Sequence, residues 1–249
     1  PTNVEIYDMA QSNSEHSRHW VFQGTLVDPD APPSAPPRPS LFADVKSTLA
    51  AAKAAGSDHS RVAFADNASA VRGGPVARFA PSPTTRVYGL VERTYHPTLT
   101  AETHNFPTGI APFPGAATGI GGRLRDNQCI GRGGHVVAGT AGYAVGPLVL
   151  DEAAADQAAA HAAALTRHGV PAPTIPAATL LVEASNGASD YGNKFGEPIV
   201  CGYTRTFGWL DEAVASPSFH WEWRKPIMFT AGVGMVDDAH LRKRDPAPG

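Results

Sequence analysis

The sequence predicts an α+β fold, a mixed and mostly antiparallel sheet with helices on one face. Three observations point there. Short alternating or apolar runs bounded by Gly, Pro, Asn and Asp recur along the chain, as half-buried and buried strands do. Two alanine-rich stretches, 41–55 and 151–168, have helical propensity. No internal repeat of roughly 20–50 residues is present, which excludes solenoids and propellers.

Each element follows from local pattern. Residues 5–16 read as a short helix ending at a Ser-Glu-His word, and six prolines between 29 and 39 exclude a helix or central strand there. Leu41 to Ala55 is an alanine-rich helix with one face packed and one wet, stopped by Gly56. Arg61 to Phe64 is a strand that leads into a turn at Asp66 and Asn67. Arg86 to Glu92 alternates as a strand, and Pro97 to Thr103 forms another. Val136 to Val145 and Leu148 to Leu150 are apolar strand material. Asp151 to His168 holds nine alanines, begins with acidic residues and closes on Arg167, His168 and Gly169, so it reads as a structural helix. Pro171 to Pro176 links it to a buried strand at Ala178 to Ala184, which feeds a small-residue loop over 185–192. Pro198 to Phe207 and Pro226 to Val236 are the last strands, separated by a loop over 211–223 with Trp221 and Trp223. The domain organisation expected is an N-terminal segment over 1–40, a lobe over 41–240, and a polar link over 241–249.

Chemistry concentrates between 102 and 126. Glu102-Thr-His-Asn-Phe-Pro-Thr-Gly109 is followed by Pro114-Gly-Ala-Ala-Thr-Gly-Ile-Gly-Gly122 and Arg123-Leu-Arg-Asp126. No helix pattern opens in the glycine-rich part, so it reads as a loop. Glycines let backbone N–H groups approach an anion, and carboxylates suit Mg²⁺. Glu102 and Asp126 flank the loop as such a metal pair would, with Gly115, Thr118, Gly119, Gly121 and Gly122 between them. The competing reading is a plain glycine-rich turn. The spacing fits neither a Walker A loop nor a dinucleotide fingerprint. Residues two apart on a strand share a face, so Glu102 and His104 can share one site.

Composition bounds the rest. The 249 residues are 42% hydrophobic and 17% charged, with a formal net charge of −3, which gives no electrostatic case for nucleic acid or an anionic membrane. Cys129 and Cys201 form no Cys-x-x-Cys pair, so they read as buried thiols rather than a disulfide or zinc framework. No apolar run approaches the roughly 20 residues of a membrane span. A start at Pro-Thr-Asn-Val-Glu is neither a signal peptide nor an initiator methionine, so the chain reads as a soluble cytoplasmic piece of something longer.

Several long words decide between the readings of the loop. Ala101-Glu-Thr-His-Asn-Phe-Pro-Thr-Gly109, Pro114 to Asp126 and Gly131-Arg-Gly133 resemble the synthetase domain of the large, single-chain phosphoribosylformylglycinamidine synthases. Asn13-Ser-Glu-His-Ser-Arg-His19 resembles that family's Ser-Glu-His-Cys-Arg-His word with Ser17 in place of its Cys, and Ala184 to Pro198 is close to another family word. The resemblance runs from near the N-terminus to about residue 236.

What it implies is an ATP- and glutamine-dependent ligase of purine biosynthesis, converting formylglycinamide ribonucleotide to its amidine. It also implies a lobe of the aminoimidazole ribonucleotide synthetase-like superfamily. Aminoimidazole ribonucleotide synthetase and selenophosphate synthetase are the alternatives within that superfamily, and an isolated lobe without activity is a third reading. The implied cofactors are ATP and Mg²⁺. The implied partners are a glutaminase domain and a second synthetase lobe, or a homodimer imitating that pairing. His16 and His104 are the implied catalytic residues, although the bland reading of His16 is a solvated helix end. Arg125 and Arg132 suit phosphate contacts, and Asp66, Asn67 and Asp190 join the substrate or nucleotide candidates. For Asp190 the alternative is a plain turn.

Overall fold

The computed structural model describes residues 1–12, 20–32, 34, 38–148, 150, 155–156, 159–160, 162–163, 166, 175–211, 219–245 and 247. The chain divides into two compact units, Pro1–His59 and Ser60–Gly249. The 41–55 helix, read from the sequence as the start of the larger domain, therefore sits in the first unit.

That unit is helical. Helix α1 (Asn3–Ser12) begins at a reciprocal cap, in which Thr2 N donates to Glu5 Oε2 (2.6 Å) and Glu5 N donates to Thr2 Oγ1 (3.3 Å). After the short α2 (Trp20–Gln23), Leu26 bridges Arg38 across the proline-rich excursion. Helix α3 (Leu41–Ala54) is capped by Ser40, whose Oγ accepts from Ala43 N, and is left through Gly56 at φ +67°.

The second unit is built on a seven-stranded sheet. Its strands are β1 (Ser60–Val62), β2 (Ser69–Val71), β3 (Gly74–Pro81), β4 (Tyr88–Thr103), β5 (His135–Val145), β6 (Ile199–Thr206) and β9 (Ile227–Asp237). A separate hairpin pairs β7 (Gly208–Asp211) with β8 (Phe219–Glu222). Spatial order is β1-β2-β4-β9-β5-β6, with β3 also on β4. Every pairing is antiparallel except β5 with β6. The mixed, mostly antiparallel sheet expected from the sequence is present.

Helices α4 (Asn105–Ile110), α5 (Pro112–Cys129) and α6 (Ala177–Lys194) belong to this unit. Ala116 and Ile120 of α5 and Leu180, Ala184 and Ala188 of α6 share one core with Ala141, Tyr143, Val145 and Met228 of the sheet. A second, smaller core gathers Ala68, Ala70, Ile130 and Val236.

Five sequence expectations are corrected. The strands at 86–92 and 97–103 are one strand, β4; Pro97 survives inside it because it lies where the neighbour changes from β3, ending opposite Tyr95, to β2, starting opposite Thr98. The glycine-rich loop at 114–122 is helical, as part of α5. The strand at 178–184 and the loop at 185–192 are both helix α6. The 211–223 loop contains strand β8. Cys129 and Cys201 are exposed, one at the end of α5 and the other on β6. Of the 151–168 helix, the described positions between 155 and 166 are helical.

The glycines of α5 are explained by what touches them. A Cβ at Gly115 would stand 2.6 Å from the Thr108 backbone, one at Gly119 2.9 Å from His104 Cβ, and one at Gly121 2.6 Å from the Tyr191 ring. Each glycine costs about 1 kcal/mol of helix propensity relative to alanine. Close approach to α4, β9 and α6 offsets that cost through burial.

Candidate functional site

His104 follows the last residue of β4 and leads into α4. Its N–H donates to Met228 O (2.9 Å), and its carbonyl accepts from Thr108 Oγ1 (2.6 Å), so backbone and ring are held from both sides. Nδ1 lies 2.6 Å from the carbonyl oxygen of Gly115. A carbonyl can only accept, so Nδ1 carries the proton, and neutral His104 presents Nε2 as a basic lone pair. Asn105 Oδ1 accepts from Met228 N (3.0 Å), which ties the start of α4 to β9.

Glu102 lies on β4 two residues earlier. It is exposed, and its Oε1 accepts from the N–H of Thr103 (3.0 Å). By alternation it shares the helix-covered face with Thr98 and Thr100. Asp126 is half-buried on α5 and accepts from Asn67 Nδ2 (3.3 Å). The next residue, Asn127, docks on Thr98, four positions from Glu102; at a strand's rise that is about 13 Å along β4. Among the described residues no group of three or more His, Cys, Asp or Glu side chains gathers at one point.

Helix α5 replaces the expected anion loop with a different surface. Gly115, Gly119 and Gly121 are buried against protein, and the Gly115 N–H is spent on Ala111 O (2.8 Å), so they form no open cradle. Thr118, Gly122 and Arg125 recur at i, i+4 and i+7, which makes them one outward stripe. Thr118 bonds its hydroxyl back to Pro114 O (2.8 Å). A Cβ at Gly122 would meet nothing closer than the Arg125 guanidinium at 3.8 Å, so backbone is bare there.

Asp66 and Asn67 sit at the far end of α5, beside Asp126. Asp66 accepts from the N–H groups of Asn67 (2.7 Å) and Gly131 (3.0 Å) and pairs with Lys243. Burial pushes its carboxyl up, but the Lys243 ammonium and the two amides outweigh it and hold Asp66 below the usual carboxylate range. Gly131 has φ +54°, and a Cβ there would lie 2.1 Å from His240 O, so the turn needs glycine. Arg132 donates to Ala239 O, an intramolecular use of a side chain expected to meet phosphate. Asp190 is on α6 and pairs with Lys194 at 2.7 Å, an i,i+4 surface pair. His16 lies outside the described residues.

The sequence reading missed a buried polar seam beneath α5. Arg123, fully buried, donates both terminal nitrogens to Glu197, also fully buried, and its Nε to Thr230 Oγ1 (3.2 Å). Thr230 donates onward to Thr140 O (2.9 Å). The signal was present: Ala116, Ile120, Arg123 and Asn127 recur at helical spacing, a stripe legible only once the glycines are read as helical.

No protein-family model matches the chain. It is 45% identical over 252 residues to a probable phosphoribosylformylglycinamidine synthase, chloroplastic/mitochondrial, of Arabidopsis thaliana, and 42% identical over 255 residues to the Homo sapiens phosphoribosylformylglycinamidine synthase. Both alignments cover 100% of this chain and 17% of the relative, so the chain spans about a sixth of their length. Among solved structures, PurL of T. maritima complexed with ADP is 19% identical, over 72% of this chain and 20% of that one, with a TM-score of 0.38. That superposition is too loose to assign any residue's role.

Proposed function

We propose that this chain, homologous over its whole length to one segment of phosphoribosylformylglycinamidine synthase, is a lobe of an ATP- and glutamine-dependent ligase that converts formylglycinamide ribonucleotide to its amidine. The observation that carries the reading is the pairing of His104 with Gly115 O, 2.6 Å from Nδ1, two residues beyond the exposed carboxylate of Glu102. It supports an imidazole held in one tautomer with Nε2 available for proton transfer.

In that reaction the formamide oxygen is phosphorylated by ATP, and ammonia then displaces phosphate. His104 would move the proton at Nε2. Thr118 and Arg125 would face the phosphates, the guanidinium as a bidentate donor, with Gly122 leaving room between them. Glu102 and Asp126 offer hard oxygen ligands that would hold Mg²⁺, with phosphate oxygens and water completing the shell. Mg²⁺ in such a site neutralises charge as the phosphoryl group moves. Asp66, Asn67, Arg132 and Asp190 are already engaged within the protein, and any ligand would have to displace those contacts.

Ammonia would come from a glutaminase domain outside this chain, so the lobe alone should not perform glutamine-dependent synthesis. The sheet face opposite the helices supports a partner lobe: Leu99, Val233 and Tyr203 are 46%, 43% and 44% exposed there. A second copy could cover it in the isolated chain, and a clean monomer by sedimentation equilibrium at high concentration would exclude that. Among the described residues no helix is long and apolar enough to cross a membrane, and a cytoplasmic location is part of the same proposal.

The test is made in the full-length enzyme. Glu102→Gln and Asp126→Asn should abolish synthesis while glutamine hydrolysis continues, and His104→Ala should lower turnover by about 10²–10⁴-fold. Wild-type turnover and Mg²⁺ dependence in the folded variants would remove the assignment.

A further inference from the structure

We infer that Arg123 and Glu197 act as a positioning strut that sets the rotation of α5 about its own axis, and with it the aim of Arg125 and Asp126; the inference rests on the functional reading above. Both side chains are fully buried. Replacing a buried ion pair by apolar residues of similar volume is commonly neutral or stabilising, so stability alone does not call for charges here.

The surroundings are shaped for the guanidinium. A Cβ at Gly232 on β9 would lie 1.9 Å from Arg123 Nη1, and one at Gly139 on β5 would lie 2.7 Å from Nη2. Two adjacent strands thus give up their side chains at the same level, where Gly139 and Gly232 are register partners. The Nε bond to Thr230 adds a third direction to the two bonds with Glu197. Such a planar, directional contact defines an angle, which an apolar knob does not.

Helix α5 needs that definition. Four of its residues between 115 and 122 are glycine, and its buried apolar side chains are only Ala116, Ile120 and Leu124. A side-chain head about 6 Å from a helix axis moves about 1 Å for each 10° of rotation. Arg125 and Asp126 follow Arg123 by two and three residues, and the Gly115 carbonyl that orients His104 is on the same helix. Misplacement of reacting groups by about 1 Å can cost about 10²-fold in rate.

The experiment measures turnover, KM for ATP and the ribonucleotide, and the unfolding midpoint in the full-length enzyme carrying Arg123→Lys, or Arg123→Met together with Glu197→Met. Both variants should fold, with kcat reduced at least about tenfold and KM changed much less, because alignment rather than ground-state binding is lost. The apolar pair should keep the wild-type midpoint and still not recover kcat. A folded variant with wild-type kcat overturns the strut; failure of Arg123→Lys to fold assigns the pair to stability and overturns it too. His104→Ala and Glu102→Gln are measured alongside. If they turn over normally the functional reading fails, whereas if they are inactive and the apolar pair is not, only the strut fails.

Discussion

Arg123 meets Glu197 with neither side chain exposed, whereas Lys243 meets Asp66 with its own side chain 53% exposed. Both are Coulombic pairs in the same unit, one under the middle of the sheet and one at its rim. At the rim, Asp66, only 9% exposed, keeps the N–H groups of Asn67 and Gly131 as partners, while water reaches the Lys243 ammonium, which has a solvated alternative. Under the sheet neither partner has one, so removing one leaves an uncompensated charge. The rim extends through the Asp238–His240 turn, where Asp238 accepts from Arg61 and from the buried His96, each at 2.7 Å. His96 Nδ1 accepts from Gly73 N (3.1 Å), so its proton is on Nε2 and points at Asp238. These rim contacts join the 3₁₀ turn to β1 and β4; the buried pair joins α5 to the start of β6.

The sharpest way to break the comparison is to remove one partner from each. Glu197→Ala should cost about 3–5 kcal/mol, the penalty of a buried charge left alone, while Lys243→Ala should cost less, because Asp66 keeps the Asn67 and Gly131 N–H groups as donors. Urea unfolding of the two variants measures the gap, and equal losses would erase the distinction. Next in size is the slot itself. Gly232→Ala should lose about 1–3 kcal/mol by overpacking against the guanidinium, whereas Gly122→Ala, with open space, should gain up to about 1 kcal/mol of helix propensity.

The same burial logic extends to a neutral group. Tyr143 keeps its hydroxyl buried with no hydrogen-bond partner, and burial pushes its pKa up to about 12. The unfolded phenol titrates near 10, so this contribution is complete below about pH 10 and is lost as pH rises toward the folded value. Tyr143→Phe should stabilise the chain by about 1 kcal/mol and remove that alkaline loss, read from unfolding midpoints against pH. No change in the alkaline limb would show that the hydroxyl is solvated.

The smallest effect concerns the rim at low pH. Asp66 and Asp238 are both held below the ordinary range; burial raises Asp66 but its partners outweigh it, and Asp238 is lowered first by His96 and then by Arg61. A depressed carboxylate stabilises fully above its unfolded pKa of about 3.9 and loses that contribution as pH falls through the folded value. Asp66→Asn should therefore flatten the acid limb by less than about 1 kcal/mol, and salt should weaken it further. An unchanged acid limb would remove Asp66 from the account.

Much of the fold was legible because its signals are local. The alanine-rich run from Leu41 and Gly56 after it bound α3 correctly, and the strands read over 226–236 and 198–207 match β9 and β6 to within a residue or so. Glu102 and His104 were legible as chemistry because a short spacing at a strand end puts them near each other in any fold. The glycines of 115–122 misled for a physical reason: intrinsic propensity speaks against helix, and only contact with α4, β9 and Tyr191 reverses it.

By itself, then, the sequence determined the element types with strong periodicity or caps and the side chains able to do proton and phosphate chemistry, since these depend on a residue and its near neighbours. Tertiary structure decided which of them share a surface. Arg123 finds Glu197 74 positions along the chain, and its slot exists because Gly139 and Gly232 come together on neighbouring strands. Those distances are set by packing the helices against the sheet, which no window of local propensity contains.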